Sequence, residues 1–200
     1  YSFDVPLVSV GNIVVGGSGK TPFVVLLSRL LTQQSISHVI ISRGYKKNRA
    51  GSVLVHDGKQ CLVHSPEECG DEPFMLASQL TSVPIIVNEK KQRAIELALK
   101  LFRPKIIVLD DAFQSRYLNN RFNIVLFNTL DKQKDLRLFP LGKLREPIES
   151  LQRADIVVLT KEALAKEQTV YKRLVLPLLK KKHIPCFSSR LHFTLLQYQI

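Results

Sequence analysis

The stretch VPLVSVGNIVVGGSGKTP, residues 5–22, decides how the rest of the chain is read. A short apolar run passes through a glycine-rich turn into Lys20 and Thr21, where an apolar-periodic segment begins. Strand, glycine turn and helix in that order form a phosphate-binding loop, because backbone N–H groups at the turn can point together at anionic oxygens. Gly16, Gly17 and Gly19 supply the backbone freedom, and Val14, Val15 and Ser18 complete the cradle. Lys20 is placed to neutralise the β- and γ-phosphates of a nucleotide, and the Thr21 hydroxyl to ligate Mg²⁺. One position departs from the usual G-x-x-x-x-G-K-[ST] spacing: Val14 stands where the first glycine belongs, and Gly11 does not repair it. Alone, the stretch is also compatible with a glycine-rich turn carrying an accidental Gly-Lys-Thr. A dinucleotide fingerprint fits less well, since G-x-G-x-x-G has no match here.

Outward from this loop, Val- and Ile-rich runs recur at 38–42, 83–87, 105–110, 122–127 and 155–160, all reading as strands buried on both faces. Helical patterns at 21–34, 89–102 and about 162–182 separate several of them. In the second, Ile95, Leu99 and Phe102 share a stripe, with Lys90, Lys91 and Arg93 off it. In the third, Pro177 should kink or end the helix. Residues 43–64 differ: two short β-like runs flank HDGK, which suggests a small hairpin inserted after the second strand. The expected architecture is one α/β domain over 1–200, a doubly wound and mostly parallel sheet of P-loop type with that hairpin insertion.

Composition restricts the partners. The net charge of +12, from 29 basic and 17 acidic side chains, favours anions: nucleotide phosphates, nucleic acid or an acidic lipid surface. The basic residues are scattered, without interleaved aromatics, so a nucleic-acid module is not expected. Cys61, Cys69 and Cys186 show no CxxC spacing and are expected as free thiols in a reducing compartment. No apolar run reaches the ~20 residues that span a bilayer. The sequence opens without Met and closes on the apolar LHFTLLQYQI, so it is expected to be part of a longer protein.

The chemistry-bearing residues cluster at strand ends. Asp110 and Asp111 close the run 105–110, at the sheet edge where ligands bind and where a P-loop enzyme holds Mg²⁺. Neighbouring strand residues face opposite ways, so the two acids are expected to differ in role. ECGDEPF (68–74) carries Glu68, Asp71 and Glu72 before a helical stretch, where Asp71 could be an N-cap and Pro73 falls in the first turn. Arg43 of SRGYKK (42–47) lies near the same edge. FPLGKLREP (139–147) reads as an ordered loop presenting Lys143, Arg145 or Glu146 beside a site.

Taken in order, VGNIVVGGSGKTP, SRGY, GDEP, DDAFQSR, LFPLGKLREP and ADIVVLTK resemble the tetraacyldisaccharide 4′-kinase family of lipid A biosynthesis, over roughly residues 5–190, Val14 included. The resemblance implies ATP-dependent phosphorylation of the 4′-hydroxyl of a tetraacylated glucosamine disaccharide 1-phosphate, on the cytoplasmic face of a Gram-negative inner membrane. It implies Lys20 and Thr21 as phosphate and Mg²⁺ ligands and Asp110 and Asp111 as the Mg²⁺-side acids. It makes Asp71 the candidate base, with Glu72 beside it, and Arg145 and Glu146 active-site candidates. Family members also carry an N-terminal membrane-associated helix and a C-terminal lobe whose histidine partners the GDEP aspartate, and neither segment is expected within these 200 residues. Two positions depart from the family's DDGFQHR: Ala112 replaces Gly and Ser115 replaces His. The histidines at 38, 56, 64, 183 and 192 match none of the motifs. The alternatives are a P-loop ATPase or GTPase switch, for which LTKE (159–162) is only a distant echo of NKxD, and a fragment that binds ATP without catalysing.

Overall fold

The computed structural model describes residues 1–164 and 171–189. In chain order it contains β1 (Leu7–Asn12), α1 (Lys20–Gln33), β2 (His38–Ser42), β3 (Val53–Asp57), α2 (Pro66–Cys69), α3 (Asp71–Gln79) and β4 (Pro84–Val87). These are followed by α4 (Lys91–Phe102), β5 (Ile106–Asp110), β6 (Arg121–Asn128), β7 (Ile156–Thr160), α5 (Leu176–Lys181) and β8 (Cys186–Ser188). The strands form one sheet in the order β3-β4-β2-β5-β1-β6-β7-β8, parallel throughout except for the antiparallel pair of β3 with β4.

Strand alternation builds a core on each face. Ile40, Ile85, Val87 and Val108 point to one side, where Val24 and Val25 of α1 and Leu76 and Ala77 of α3 cover them. Their neighbours Val39, Ile41, Ile86, Ile107 and Leu109 point to the other, under Ala94, Ile95 and Ala98 of α4. Beyond β1 that second face continues as Val125, Phe127 and Val157 beneath Tyr171, Val175 and Leu179. Helices on both faces of a parallel sheet are the doubly wound arrangement that the Val- and Ile-rich runs imply. The loops after β1, β2, β5 and β7 consequently emerge at one edge, around the central β1.

Four local expectations need correction. The HDGK turn forms, but its return arm is only a bridge between His56 and Cys61 with the Leu62 N–H on the Val55 carbonyl. β3 instead pairs with β4, because buried Val53 and Val55 need the cover of Leu76 and Val83. Lys91 is buried at 3% exposure, not on the solvent side of α4. Pro177 sits in the first turn of α5, where its missing N–H costs nothing, so it begins that helix after a π-type turn over Tyr171–Val175. Residues 165–170 of the long helix expected there lie outside the described residues. The short edge strand β8 follows Pro185 and was not expected. Cys61, Cys69 and Cys186 are free, and among the described residues no helix is long and apolar enough to cross a membrane.

His38 joins β2 to α1 beneath the first core. Its Nε2 lies 2.7 Å from Ser28 Oγ and its Nδ1 2.9 Å from the Ile36 carbonyl, so Nδ1–H donates to the carbonyl and Nε2 accepts from the hydroxyl. Burial lowers its pKa from 6.5, against the opposing pull of Ile36. The folded state thus binds this proton more weakly than the unfolded chain, and the stabilisation is complete above about pH 6.5 and lost as pH falls below it. His56, lowered by burial as well, acts in the same direction. Urea unfolding is expected to show stability dropping between about pH 7 and pH 5, with a shallower drop in His38→Gln. An unchanged slope in the variant would exclude His38 as a source.

Candidate functional site

The glycine loop is held by an antiparallel ladder as well as by its own turn. The Val15 N–H donates to the Lys143 carbonyl at 2.7 Å, the Arg145 N–H donates to the Ile13 carbonyl at 2.8 Å, and Val14 and Leu144 form the bridge between them. Val14 is 4% exposed and packs with Phe113, Val125 and Leu144. The residue that departs from the usual spacing is therefore a ladder residue with a buried side chain, a position where glycine would contribute neither packing nor rigidity. Further along, Ser18 is buried, its Oγ accepting from Asn12 Nδ2 at 2.7 Å and its carbonyl accepting from Thr160 Oγ1 at 3.0 Å. Lys161 Nζ donates to the Gly17 carbonyl at 3.1 Å. Gly19 caps α1 with φ 82°, which an L side chain adopts only with strain, and no acid occupies the helix's first turn. The free N–H groups and positive end of this 14-residue helix thus open onto the loop.

The two acids after β5 have different environments, as strand geometry requires. Asp110 is 1% exposed; its Oδ2 accepts from Ser42 Oγ at 2.9 Å and its carbonyl from Lys91 Nζ at 2.6 Å. Its Oδ1 has no hydrogen-bond partner among the described residues. Burial, opposed by Lys91 and reinforced by Glu72 and Asp111, pushes its carboxyl up to about 6. Burial likewise lowers the pKa of Lys91, against the pull of both aspartates. Asp111, by contrast, turns out at φ 49°. Both its oxygens accept from Arg145 Nη1, at 3.1 and 2.9 Å, and Oδ1 lies 3.7 Å from Lys20 Nζ. Burial alone would raise its pKa, but Lys20 and Arg145 together hold the carboxyl below the usual range.

Lys20, Lys91, Asp111 and Arg145 line one cleft of about 1040 Å³. Val15, Gly16, Gly17, Ser18, Gly19, Lys20 and Thr21 form its floor, with Arg43, Asp71, Glu72, Asp111, Ser115 and Arg145 also lining it. Asp71 is the first residue of α3 and not its cap: Gly70 occupies that position at φ 98°, and no side chain caps the helix. A Cβ on Gly70 would lie 2.9 Å from the Tyr45 carbonyl, so glycine lets the SRGY and GDEP loops meet at the cleft. Both acids are exposed there.

Three of the proposed residues are not at the cleft surface. Val14 is committed to the ladder and Asp110 lies beneath it, behind Asp111. Glu146 is 9% exposed, its Oε2 accepting from Arg116 at 2.7 Å and Arg153 at 2.8 Å. Arg153 stacks 4.5 Å over the Phe113 ring, so Glu146 braces the loop after β5 and does not face a ligand. Lys143 pairs with Asp135 at 3.4 Å, and Glu68 with Arg49 at 2.7 Å. Residues that sequence reasoning missed are mainly supports: Arg121, which donates to the carbonyls of Ala112, Phe113 and Ser115, and Gln114, whose Nε2 donates to the Asn12 carbonyl at 2.8 Å. Lys91 has the clearest signal of these, a lysine in the first turn of an amphipathic helix beside a strand that ends in two acids. Among the described residues no group of three or more His, Cys, Asp or Glu is placed to hold a metal. A hard cation here would need carboxylate and hydroxyl oxygens together, which Thr21, Asp111 and the unpartnered Asp110 Oδ1 offer.

The family model of tetraacyldisaccharide-1-P 4′-kinase matches residues 1–197. A tetraacyldisaccharide 4′-kinase of Aquifex aeolicus is 44% identical over 158 residues, covering 78% of this chain and 48% of the relative. The crystal structure of the "apo" form of LpxK from Aquifex aeolicus in complex with ATP superposes with a TM-score of 0.75 at 41% identity, over 84% of this chain and 51% of that one. HypB from Helicobacter pylori in complex with nickel, 13% identical with a TM-score of 0.54 over 92% of this chain and 79% of that one, shares the fold alone. The chain spans about half the length of the curated relatives it matches.

Because Val14 is buried, restoring the usual glycine should weaken the protein. Val14→Gly is expected to cost about 2–4 kcal/mol, from lost apolar burial and added backbone freedom, in urea unfolding. An unchanged midpoint would mean that the buried Val14 side chain carries no stability.

Proposed function

Since the chain belongs to the tetraacyldisaccharide-1-phosphate 4′-kinase family, we propose that it takes part in phosphorylating the 4′-hydroxyl of a tetraacyldisaccharide 1-phosphate from ATP, the step that forms lipid IVA. The observation that carries this reading is the convergence of Lys20, Asp111, Arg145 and Asp71, from four separate segments, on one cleft floored by the glycine loop. The loop and the start of α1 receive the polyphosphate through backbone N–H groups. Lys20 and Arg145, both held by Asp111 in this structure, are the cations that neutralise the transferring phosphoryl group. Thr21 and Asp111, with Asp110 behind them, are the residues that would hold Mg²⁺, which when bound supplies further charge neutralisation at the phosphates. Asp71 orients the acceptor hydroxyl and takes its proton, and Glu72 lies beside it. In-line transfer needs little covalent help, so positioning and electrostatics account for most of the rate.

The proposed acceptor is an amphiphile and the proposed donor is ATP, which together support a reaction at the cytoplasmic face of the inner membrane. The net charge of +12 suits an anionic leaflet and a phosphorylated lipid. A transfer assay with γ-labelled ATP and the disaccharide 1-phosphate tests the proposal. Labelled lipid product is expected, and its absence alongside intact ATP binding would show that these 200 residues bind nucleotide without catalysing. Lys20→Ala is expected to abolish transfer. Asp71→Asn should lower kcat by about 10²–10⁴-fold, the usual worth of a general base, while ATP affinity changes little. Collapse of ATP affinity in Asp71→Asn would reassign that residue to the nucleotide side.

A further inference from the structure

The segment between β6 and the ladder carries a feature that the cleft chemistry does not use. Residues 138–141 form a turn closed by the Gly142 N–H on the Leu138 carbonyl at 3.1 Å. Leu138 is 49% exposed, Phe139 69% and Leu141 82%. The turn is rigidly held: the Phe139 N–H donates to the Leu144 carbonyl, the Leu144 N–H to the Arg137 carbonyl and the Lys143 N–H to the Asp135 carbonyl. Gly142 approaches so closely that a Cβ there would lie 2.5 Å from the Arg137 carbonyl oxygen. Three large apolar side chains are therefore held at the surface with much of their area in water.

The charge around the tip is positive in balance, with Asp131 and Asp135 sharing Lys143 at 3.9 and 3.4 Å. Lys132, Lys134 and Arg137 are exposed beside the tip. Asp135 also accepts from the Lys132 N–H. Apolar groups that can enter an interface, ringed by cations that stay with headgroups, are the pattern by which peripheral segments bind anionic leaflets. Nucleic acid would use the cations but leave the apolar tip in water. The tip is also continuous with the site, because residues 143–145 of the same segment pair with the glycine loop and Arg145 bonds Asp111.

We propose that Leu138, Phe139 and Leu141, with Lys132, Lys134 and Arg137, dock this protein on an anionic bilayer, holding the cleft at the membrane surface. This rests on the reading of an amphiphilic acceptor, which the bilayer supplies. Docking through a rigid tip fixes the distance between leaflet and cleft, so the acceptor's sugar can be engaged while its acyl chains stay in lipid.

The chain contains no Trp, so Phe139→Trp gives a single reporter at the tip. Its emission should shift to the blue on adding vesicles of phosphatidylethanolamine and phosphatidylglycerol at 3:1, and much less with phosphatidylglycerol replaced by phosphatidylcholine. Phe139→Ser with Leu141→Ser should weaken sedimentation with the anionic vesicles at least about tenfold. Lys134→Gln with Arg137→Gln should weaken it and flatten its salt dependence. Unchanged emission, or undiminished vesicle binding by the serine variant, would overturn the proposal. So would a drop of several degrees in the lipid-free melting temperature of the serine variant, which would mean that another part of the polypeptide covers the tip. Transfer to acceptor dispersed in non-ionic detergent separates the two claims. Transfer without vesicle binding retains the kinase reading and rejects docking, whereas a blue shift without transfer does the reverse.

Discussion

The Val15 N–H and the Lys143 carbonyl, with the Arg145 N–H and the Ile13 carbonyl, tie the glycine loop to a segment some 130 residues away in sequence. Each bond contributes only about 1 kcal/mol, but together they fix where Arg145 stands. From that position Arg145 bonds both oxygens of Asp111, and Asp111 in turn lies beside Lys20. The glycine loop, Lys20, Arg145 and Asp111 are thus one assembly, bridged across β1 and β5. The usual phosphate-loop spacing places a glycine at position 14. Here that position lies in a strand-like segment, and Val14 supplies the apolar contact that closes it against Leu144 and Phe113.

The fold was legible because its cause is local and repeated. Runs buried on both faces are near-continuously apolar, which marks β1, β2, β4, β5, β6 and β7 directly. The strands that were misread are the edges. β3 is half a hairpin by its turn residues and half a sheet strand by its buried valines, and only the presence of β4 decides between them. β8 is three residues long and too short to carry a period. Lys91 was misplaced because helix periodicity weighs a lysine as solvent-facing, whereas here its ammonium reaches the Asp110 carbonyl at the end of β5.

The site was legible to a different depth. Residue type and position mark Lys20, Thr21 and Asp111, the family resemblance adds Asp71 and Arg145, and the structure brings all five to one cleft. Residue type and position do not separate a ligand-facing acid from a bracing one. Asp110 and Glu146 sit next to Asp111 and Arg145 in sequence, and in each pair one residue faces the cleft while its neighbour is turned into the body of the protein. Glu146 and Arg153 then support Phe113, and Arg121 supports the carbonyls after it, so the loop bearing Asp111 is held from below. Some of these supports join distant residues, as Arg116 joins Glu146, and others are local, as Arg121 joins the Ala112 carbonyl, but none follows a helix or strand period.

The ladder therefore decides whether the glycine loop holds this shape without a ligand. Hydrogen exchange of the Val15 and Arg145 amides in the ligand-free protein measures this directly. If the ladder is part of the folded scaffold, both amides should exchange only through large-scale unfolding, with protection close to that of the central strands. Exchange of both at the rate of an open surface loop would show that the segments pair only around a ligand, and would contradict a preformed site.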